Sequence, residues 1–376
     1  MIVTKLQLRD FRNYATLDIE PGSGLNVVVG RNAQGKSNLL EAMYILATSK
    51  STRAGKDTEL IKFDTETAHI KAHVDRQRSS GIDIEMLLSL TEKKSARLNG
   101  VRYTKLAEVI GQMNAVLFDS GDLEIIRGDP SMRRRFLDLE ISQTSPRYAH
   151  AFAAYRKTLD QRNRLLKDLR DGRAGADARA VMPAWNAQLA RYGARLIERR
   201  RGFLERINII ARDMHNSLSD KRDMLQIGYI PSFDIDGAAD ENEIEGRFMD
   251  ALETACGDEF ARGVTLRGPQ RDDVVFSVND QDCRLYGSQG QQRTVALSLK
   301  LAERQLIEEL VGEPPALLLD DVLSDLDDAR RRRLFDLTAQ AGSQTFLSCT
   351  NLRSFSKSVL ENAIVYTVSG GEANRQ

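Results

Sequence analysis

Gly30-Arg31-Asn32-Ala33-Gln34-Gly35-Lys36-Ser37 is the stretch on which the reading of this chain turns. The octet fits the phosphate-loop pattern G-x-x-x-x-G-K-[ST] without a mismatch, and its flanks supply the context the pattern needs. Ahead of it, Leu25-Asn26-Val27-Val28-Val29 is a β-branched apolar run that reads as a buried strand, and behind it Asn38 to Leu46 favours helix. The glycines let backbone N–H groups turn inward around an anion, and the helix start adds partial positive charge. All eight residues, Gly30, Arg31, Asn32, Ala33, Gln34, Gly35, Lys36 and Ser37, are therefore expected to line a nucleotide phosphate site. Lys36 is expected to reach the β- and γ-phosphates of ATP, and Ser37 to ligate Mg2+. A chance match in a glycine-containing turn is the competing explanation, and the strand and helix flanks weigh against it.

Composition sets the bounds. At 376 residues the chain is long enough for two or three domains, and 41% hydrophobic with 29% charged residues is ordinary for a globular protein with a core. The three cysteines, Cys256, Cys283 and Cys349, are widely spaced and form no C-x-x-C pair. That pattern points to a reducing compartment and away from a disulfide framework or a zinc site. No apolar run approaches a membrane span and the first residues lack a signal-peptide core, so a cytoplasmic protein without membrane contact is expected. Lys+Arg and Asp+Glu balance at 54 each, but Ser131 to His215 carries 19 basic and 9 acidic residues. The local excess is compatible with a nucleic-acid-facing arm and equally with a solvated helix surface.

Along the chain, residues 2 to 9 alternate with Ile2, Leu6 and Leu8 on one side, and Leu17 to Glu20 reads as a partner strand. Thr67 to Val74 and Ile82 to Leu90 also alternate, and Ala96 to Tyr103 encloses the hairpin dipeptide Asn99-Gly100. A β-rich, antiparallel lobe is thus expected after the first helix. Asn114 to Phe118 is another short strand, and Ser131 begins a helix whose first turn, Arg133-Arg134-Arg135, is unusually basic. A carboxylate from elsewhere in the chain is the expected partner of that turn. Tyr148, Phe152, Tyr155, Leu159, Arg162, Leu166 and Leu169 are spaced alternately by four and three. The spacing recurs in Trp185, Leu189, Tyr192, Leu196, Arg199 and Phe203, and after a slipped step in Ile207, Ile210 and Met214. Two such segments joined by a polar loop predict an antiparallel helical hairpin with a coiled-coil seam. Leu225 to Ile230, Thr265 to Arg271, Val274 to Val278, Ala316 to Leu319, Thr345 to Ser348 and Ile364 to Val368 are read as strands, and Glu243 to Cys256 as a helix.

Ala316-Leu317-Leu318-Leu319 ending in Asp320 is what a Walker B strand requires: a buried strand that delivers one carboxylate to Mg2+ beside the phosphate loop. Asp321 stands where such ATPases carry the acid that orients and deprotonates water. Asp320, Asp321 and Lys36 are the candidate catalytic residues, and Ser37 and Asp320 the candidate metal ligands. In Tyr286-Gly287-Ser288-Gln289-Gly290-Gln291-Gln292-Arg293, Ser288 and Gln291 form a capping-box pattern that opens a helix running to Leu310. A second helix start suited to anions implies two surfaces for one nucleotide, with one protomer's loop closed by Ser288 of another.

With these strings in hand the chain resembles the ABC-type ATPase heads of the SMC class and, within it, the RecF family of bacterial recombination mediators. The resemblance covers nearly the whole chain. It is carried by Leu8 to Tyr14, the phosphate loop through Ala42, Arg127 to Asp138, Gly268 to Asp273, Gly287 to Thr294 and Leu318 to Asp327. It implies that Ser288, Gly290 and Gln291 form the signature motif that contacts ATP across a dimer, and that Ser324 to Asp327 is the D-loop. It further implies that Asp119 to Asp122 takes the Q-loop position, that Thr350 and Asn351 lie at the switch, and that Arg12 contacts nucleotide. Three positions depart from the pattern. Gln270 stands where His is common, Asp321 is one methylene shorter than the usual ABC glutamate, and Ala33 replaces a common Gly.

The expected architecture is α/β: an ABC/SMC-type head (1–125 and 257–376) of mixed sheet with Walker A and B segments and a β-rich lobe, and a helical, coiled-coil-like arm (126–256). The resemblance implies an ATP-dependent homodimer that binds duplex DNA beside single-stranded gaps and works with RecO and RecR to load RecA. The short reach of Asp321 predicts slow hydrolysis, with ATP acting as a dimerisation switch. Two other readings are an energy-coupling ABC subunit that does not act on DNA, and an SMC-like clamp. The basic hairpin and the lack of a switch His weigh against the first, and the short arm against the second.

Overall fold

The structure, a computed structural model, describes residues 1–77, 80–219, 223–322, 331, 334, 342–353, 355 and 357–376. The chain divides into two compact units: unit 1 is Met1–Leu123, Ser217–Lys221 and Ala296–Gln376, and unit 2 is Glu124–Asn216 and Arg222–Val295. Residues 257–295, assigned from sequence to the head, thus group with the helical section.

Unit 1 opens with the antiparallel pair β1 (Ile2–Phe11) and β2 (Tyr14–Ile19). A bulge between Val3 and Lys5 shifts the alternation, so Val3 rather than Ile2 joins Leu6 and Leu8 in the core. Then come β3 (Leu25–Val29) and α1 (Lys36–Thr48), the expected strand and helix around the phosphate loop. Next are β4 (Thr67–Asp75), β5 (Ile82–Ser89), β6 (Ser95–Leu98) and β7 (Val101–Tyr103), which extend the first sheet in the order β2-β1-β4-β5-β6-β7. Asn99 and Gly100 between β6 and β7 have φ 49° and 82°, the left-handed pair that a two-residue hairpin turn of this twist demands. β8 (Ala115–Phe118) is entirely buried.

The short α2 (Leu123–Arg127) leads into unit 2, where α3 (Pro130–Thr144) starts with Pro at its first turn. The basic first turn of α3 finds its carboxylate: Arg133 donates Nε and one terminal nitrogen to the two oxygens of Asp273, at 2.7 and 3.0 Å. α4 (Pro146–Arg170) and α5 (Met182–Leu218) form the expected antiparallel hairpin, with 25 and 37 residues, so about 37 and 55 Å at ~1.5 Å per residue. Their pairing is read directly from the bonds Tyr148–Arg200, Thr158–Gln188 and Arg162–Asn186: later positions on α4 meet earlier ones on α5. The hairpin is wrapped by β9 (Leu225–Ile230), α6 (Glu241–Thr254), α7 (Cys256–Arg262), β10 (Asp273–Val278), β11 (Gln281–Asp282) and α8 (Cys283–Tyr286), with the strands in the order β11-β10-β9.

That wrapping explains where the helical pattern departs from a two-helix seam. Arg162, a seam position, is 1% exposed because α7 supplies Glu259 at 2.6 Å, with Asn186 and Thr265 taking its other donors. On α5, Arg199 is exposed and its neighbour Arg200 is the buried one, donating to Asp138 at 2.7 Å and to the Pro269 carbonyl at 2.7 Å. The buried face of α5 follows the 3.6-residue helical period over a broad stripe rather than a strict heptad. Thr265 to Arg271 is a loop and not the strand read from sequence. Three of its N–H groups go to side chains, Thr265 to Asn163, Leu266 to Glu259 and Gly268 to Ser232, and Arg271 N–H turns back to the Gly268 carbonyl. Gln270 joins the same framework, accepting from the Tyr155 hydroxyl and donating to the Arg267 carbonyl.

α9 (Gln289–Val311) begins in unit 2 and ends in unit 1, where β12 (Ala316–Asp320), β13 (Thr345–Cys349), β14 (Ile364–Ser369) and β15 (Glu372–Arg375) complete the second sheet. Its order is β15-β14-β3-β13-β12-β8, parallel apart from the β14–β15 hairpin. One core joins both sheets through α1: Leu6, Ile70 and Met86 from the first, Leu39, Leu40 and Met43 from the helix, and Val28, Leu318 and Phe346 from the second. Residues 39 to 48 of α1 are all buried, which fits a helix that is apolar almost all round. The phosphate loop, at the C-terminal end of β3, is thereby mounted on a helix buried from residue 39 to residue 48.

Candidate nucleotide site

The loop from Gly30 to Gly35 is fastened on two sides by its own unit. A Cβ on Gly30 would lie 2.3 Å from the Val368 carbonyl oxygen, so only glycine lets β14 pass this close. Gly35 has φ 121°, and a side chain there would meet Asn13 and Tyr14 of the β1–β2 turn. Asn13 donates to the Gln34 carbonyl at 2.8 Å, and the buried Tyr14 hydroxyl, whose pKa burial raises, donates to the Gly35 carbonyl at 3.1 Å. Packed against Asn13, the β14–β15 turn offers Gly370 N–H to the Gln34 side-chain oxygen at 2.7 Å and Gly371 N–H to the Gln34 carbonyl at 3.2 Å. Ala33 has φ 64°, a left-handed conformation that costs a non-glycine residue roughly 1–2 kcal/mol and accounts for the Gly common at this position in the SMC class. Lys36, 6% exposed, donates its ammonium to the carbonyls of Gly30 at 2.8 Å and Arg31 at 3.1 Å, so its charge lies across the mouth of the loop.

The parallel register of the sheet brings the second half of the site to the first. Ser37, the second residue of α1, donates to Asp320 Oδ1 at 2.9 Å across 283 residues of sequence. Two hard oxygens at that separation match adjacent corners of a Mg2+ octahedron, about 2.9 Å apart for metal–oxygen bonds of ~2.05 Å. Among the described residues no cluster of three or more His, Cys, Asp or Glu is arranged to hold a metal. The pair Ser37 and Asp320 offers one hydroxyl and one carboxylate, a donor set that suits Mg2+, which keeps waters and takes phosphate oxygens beside one carboxylate. Asp321 follows with φ 54°, turning off the strand, and its N–H is held by the Ser348 hydroxyl at 2.9 Å. The same hydroxyl donates to Asp320 Oδ1 at 2.7 Å. Burial raises the Asp119 carboxyl above the usual range, the Gly121 N–H and Lys300 oppose this, and the nearby charge of Asp320 adds to it. Burial also pushes the Cys349 thiol up to about 11, beside Lys36 and Asp321.

The remaining candidates are placed as follows. Arg12 makes a two-pronged pair with Glu41, both bonds 3.0 Å, and donates to the Glu59 carbonyl at 3.0 Å. Thr350 and Asn351 are exposed after β13. In unit 2, Ser288 and Gln291 form the reciprocal cap expected: Ser288 N–H donates to the Gln291 side chain at 3.1 Å and Gln291 N–H to the Ser288 hydroxyl at 3.2 Å. Ser288 and Gly290 are exposed, and Gln291 also donates to Asp223 at 3.3 Å. Ser324 to Asp327, read as the D-loop, lies outside the described residues. Ser348, Asn13 and Gln34, through its side chain, were not assigned these supporting roles from sequence. Ser348 leaves only one local trace: a polar residue near the end of an otherwise apolar buried strand.

Comparison with known proteins adds the lineage. Residues 2–373 match the family described as the RecF/RecN/SMC N terminal domain. The chain is 41% identical over 375 residues to the DNA replication and repair protein RecF of Shouchella clausii, covering 100% of both chains. It is 40% identical over 371 residues to the protein of the same description from Bacillus mycoides, covering 99% of this chain and 98% of that one. Among solved structures, the recombination mediator protein RecF with ATP, described as part of the RecFOR pathway, superposes with a TM-score of 0.91 at 33% identity, over 100% of this chain and 97% of that one. An Smc head domain from Pyrococcus furiosus shares the fold alone, with a TM-score of 0.55 at 16% identity over 100% of this chain and 95% of that one.

Proposed function

This chain belongs to the RecF family, and on that premise we propose that it is an ATP-dependent DNA-binding protein of recombinational gap repair, acting in DNA replication, repair and SOS induction. It binds ATP with Mg2+ at the loop Gly30–Ser37, and dimerises when Ser288, Gly290 and Gln291 of a second copy close on the γ-phosphate. Lys36 neutralises the β- and γ-phosphates, Ser37 and Asp320 hold Mg2+, and Asp321 orients and deprotonates the attacking water. Mg2+ supplies charge neutralisation between the phosphates when bound. The short reach of Asp321 makes hydrolysis slow, so ATP serves as a dimerisation switch rather than as fuel. Arg12 and the Thr350-Asn351 switch take part through their position around the same nucleotide. The dimer marks duplex beside a single-stranded gap and works with RecO and RecR to load RecA.

The observation that carries this reading is the 2.9 Å bond from Ser37 to Asp320, which joins the phosphate loop to the Walker B carboxylate. It favours an ATPase over a mere anion cradle. DNA affinity measured with and without ATP, for wild type and Asp320→Asn, tests it. ATP-stimulated duplex binding that falls steeply with salt and is altered in Asp320→Asn is expected. Duplex binding indifferent to ATP, or absent at low salt, would instead favour an energy-coupling ABC subunit that does not act on DNA.

A further inference from the structure

β12 and β13 run in parallel register, with Leu318 opposite Phe346 and Asp320 opposite Ser348. Leu318 and Phe346 belong to the core around α1, and two residues further on the same faces present Asp320 and Ser348. An apolar residue would continue the pattern at 348, where the serine is only 1% exposed. An unpartnered buried hydroxyl is destabilising, so its bonds matter to the fold and reveal what it is for. Ser348 Oγ donates to Asp320 Oδ1 at 2.7 Å and accepts from the N–H of Asp321 at 2.9 Å. One hydroxyl therefore touches both acidic residues: the side chain of the first and the backbone of the second. Ser37 approaches the same Oδ1 at 2.9 Å, so that oxygen is held between two hydroxyls. Asp321 keeps φ 54°, a left-handed turn that Asp tolerates better than most residues, and the bond from its N–H to Ser348 helps to hold it.

We infer that Ser348 is a positioning residue for the metal-and-water end of this site, setting the Asp320 carboxylate for Mg2+ and the Asp321 turn for the attacking water. The inference rests on the ATPase reading above and assigns Ser348 no contact with nucleotide. Its donated bond fixes the rotation of the Asp320 carboxylate, and its accepted bond fixes where the chain leaves β12. Because both bonds meet at one atom on a neighbouring strand, the two acids keep a constant offset. A side chain without a hydroxyl removes both of these bonds at once.

The test uses the full chain and a fluorescent ATP analogue titrated with Mg2+, alongside kcat, KM and thermal melting. Supporting bonds to metal ligands are typically worth about 10–100-fold in metal affinity. Ser348→Ala is therefore expected to raise the Mg2+ concentration for half-maximal binding roughly 10-fold or more. It should also lower kcat, while nucleotide binding without metal stays at the wild-type level. Ser348→Thr, which keeps the hydroxyl, should restore the Mg2+ response. Should the added methyl lower the melting temperature, the double variant Ser348→Ala with Asp320→Asn replaces that arm. A residue acting through Asp320 adds nothing to the loss already caused by Asp320→Asn. A Mg2+ titration of Ser348→Ala superimposable on wild type would overturn the inference, as would equal loss of binding with and without metal. Asp320→Asn separates the two levels. If it leaves the Mg2+ requirement unchanged, the metal reading itself fails, whereas a raised requirement in Asp320→Asn alone sinks only the role of Ser348.

Discussion

At the phosphate loop of unit 1, each group is held by its own chain. Lys36 rests on the Gly30 and Arg31 carbonyls, Ser37 on Asp320, and the loop backbone on Asn13, Tyr14 and the turn at Gly370-Gly371. At the signature of unit 2, Ser288 is exposed, exchanges two bonds with Gln291 and accepts from the Gln292 N–H through its carbonyl. The first arrangement is preorganised: moving any member disturbs the others. The second is a finished helix cap whose outward surface is not needed for folding. The contrast separates binding from assembly. Damage at the loop should abolish nucleotide affinity, and damage at the signature should leave affinity and folding intact while preventing the second copy from closing.

The largest effect expected is at Lys36. Lys36→Met removes the ammonium that lies across the loop mouth and should abolish ATP binding in a calorimetric titration. Retained affinity would break the contrast at its stronger end. Glu259→Ala probes whether unit 2 is as rigid behind the signature as the loop is in unit 1. It leaves the Arg162 guanidinium buried without its carboxylate, and loss of one partner of a buried pair costs about 3–5 kcal/mol. A large fall in the unfolding midpoint in denaturant is the expected readout. A near-neutral result would mean that water reaches Arg162.

A smaller effect is expected at Glu313, just ahead of the Walker B strand. Burial pulls its pKa up, but the Gln77 N–H and Arg76 at 2.7 Å outweigh it and hold the carboxyl below its ordinary 4.5. Because the folded value is depressed, the stabilisation is fully present above the unfolded value and is lost as pH falls through the folded one. Glu313→Gln should therefore melt earlier than wild type at pH 7, and the two curves should converge as pH falls through the depressed folded value of Glu313. Parallel melting temperatures across that range would show the pair to be inert. The smallest effect is expected for Ser288→Arg on the isolated chain. Away from buried features, surface substitutions stay within about ±0.5 kcal/mol, apart from the loss of the cap, typically ~1 kcal/mol. Its melting temperature and its affinity for ATP should scarcely move.

Much of this contrast was legible in the sequence because it is local. The phosphate loop, the β-branched run before it, the Asn99-Gly100 turn and the Ser288–Gln291 cap each depend on residues within a few positions of one another. The parts that escaped reading depend on distant partners. Thr265 to Arg271 contains the turn dipeptide Gly268-Pro269, and Asn163, Glu259 and Ser232 capture N–H groups of the segment and keep it a loop. The buried arginine of α5 is Arg200 and not Arg199, since Asp138 of α3, Tyr148 of α4 and the Pro269 carbonyl cover that side of the helix and the straight helical period then prevails. Val3 replaces Ile2 in the core because a bulge shifts the strand by one residue. Ser348 acquires its role only when β13 is laid beside β12.

The claim that a nucleotide is held between two copies is tested most directly by mixing two crippled proteins. Lys36→Met carries a dead loop and a sound signature, and Ser288→Arg the reverse. With ATP and Mg2+, sedimentation should show each variant as a monomer by itself, while an equimolar mixture regains dimer, since pairing the two leaves one sound loop facing one sound signature. If Ser288→Arg dimerises by itself, or if the mixture stays monomeric under conditions where wild type dimerises, the site is not shared between copies in the way described.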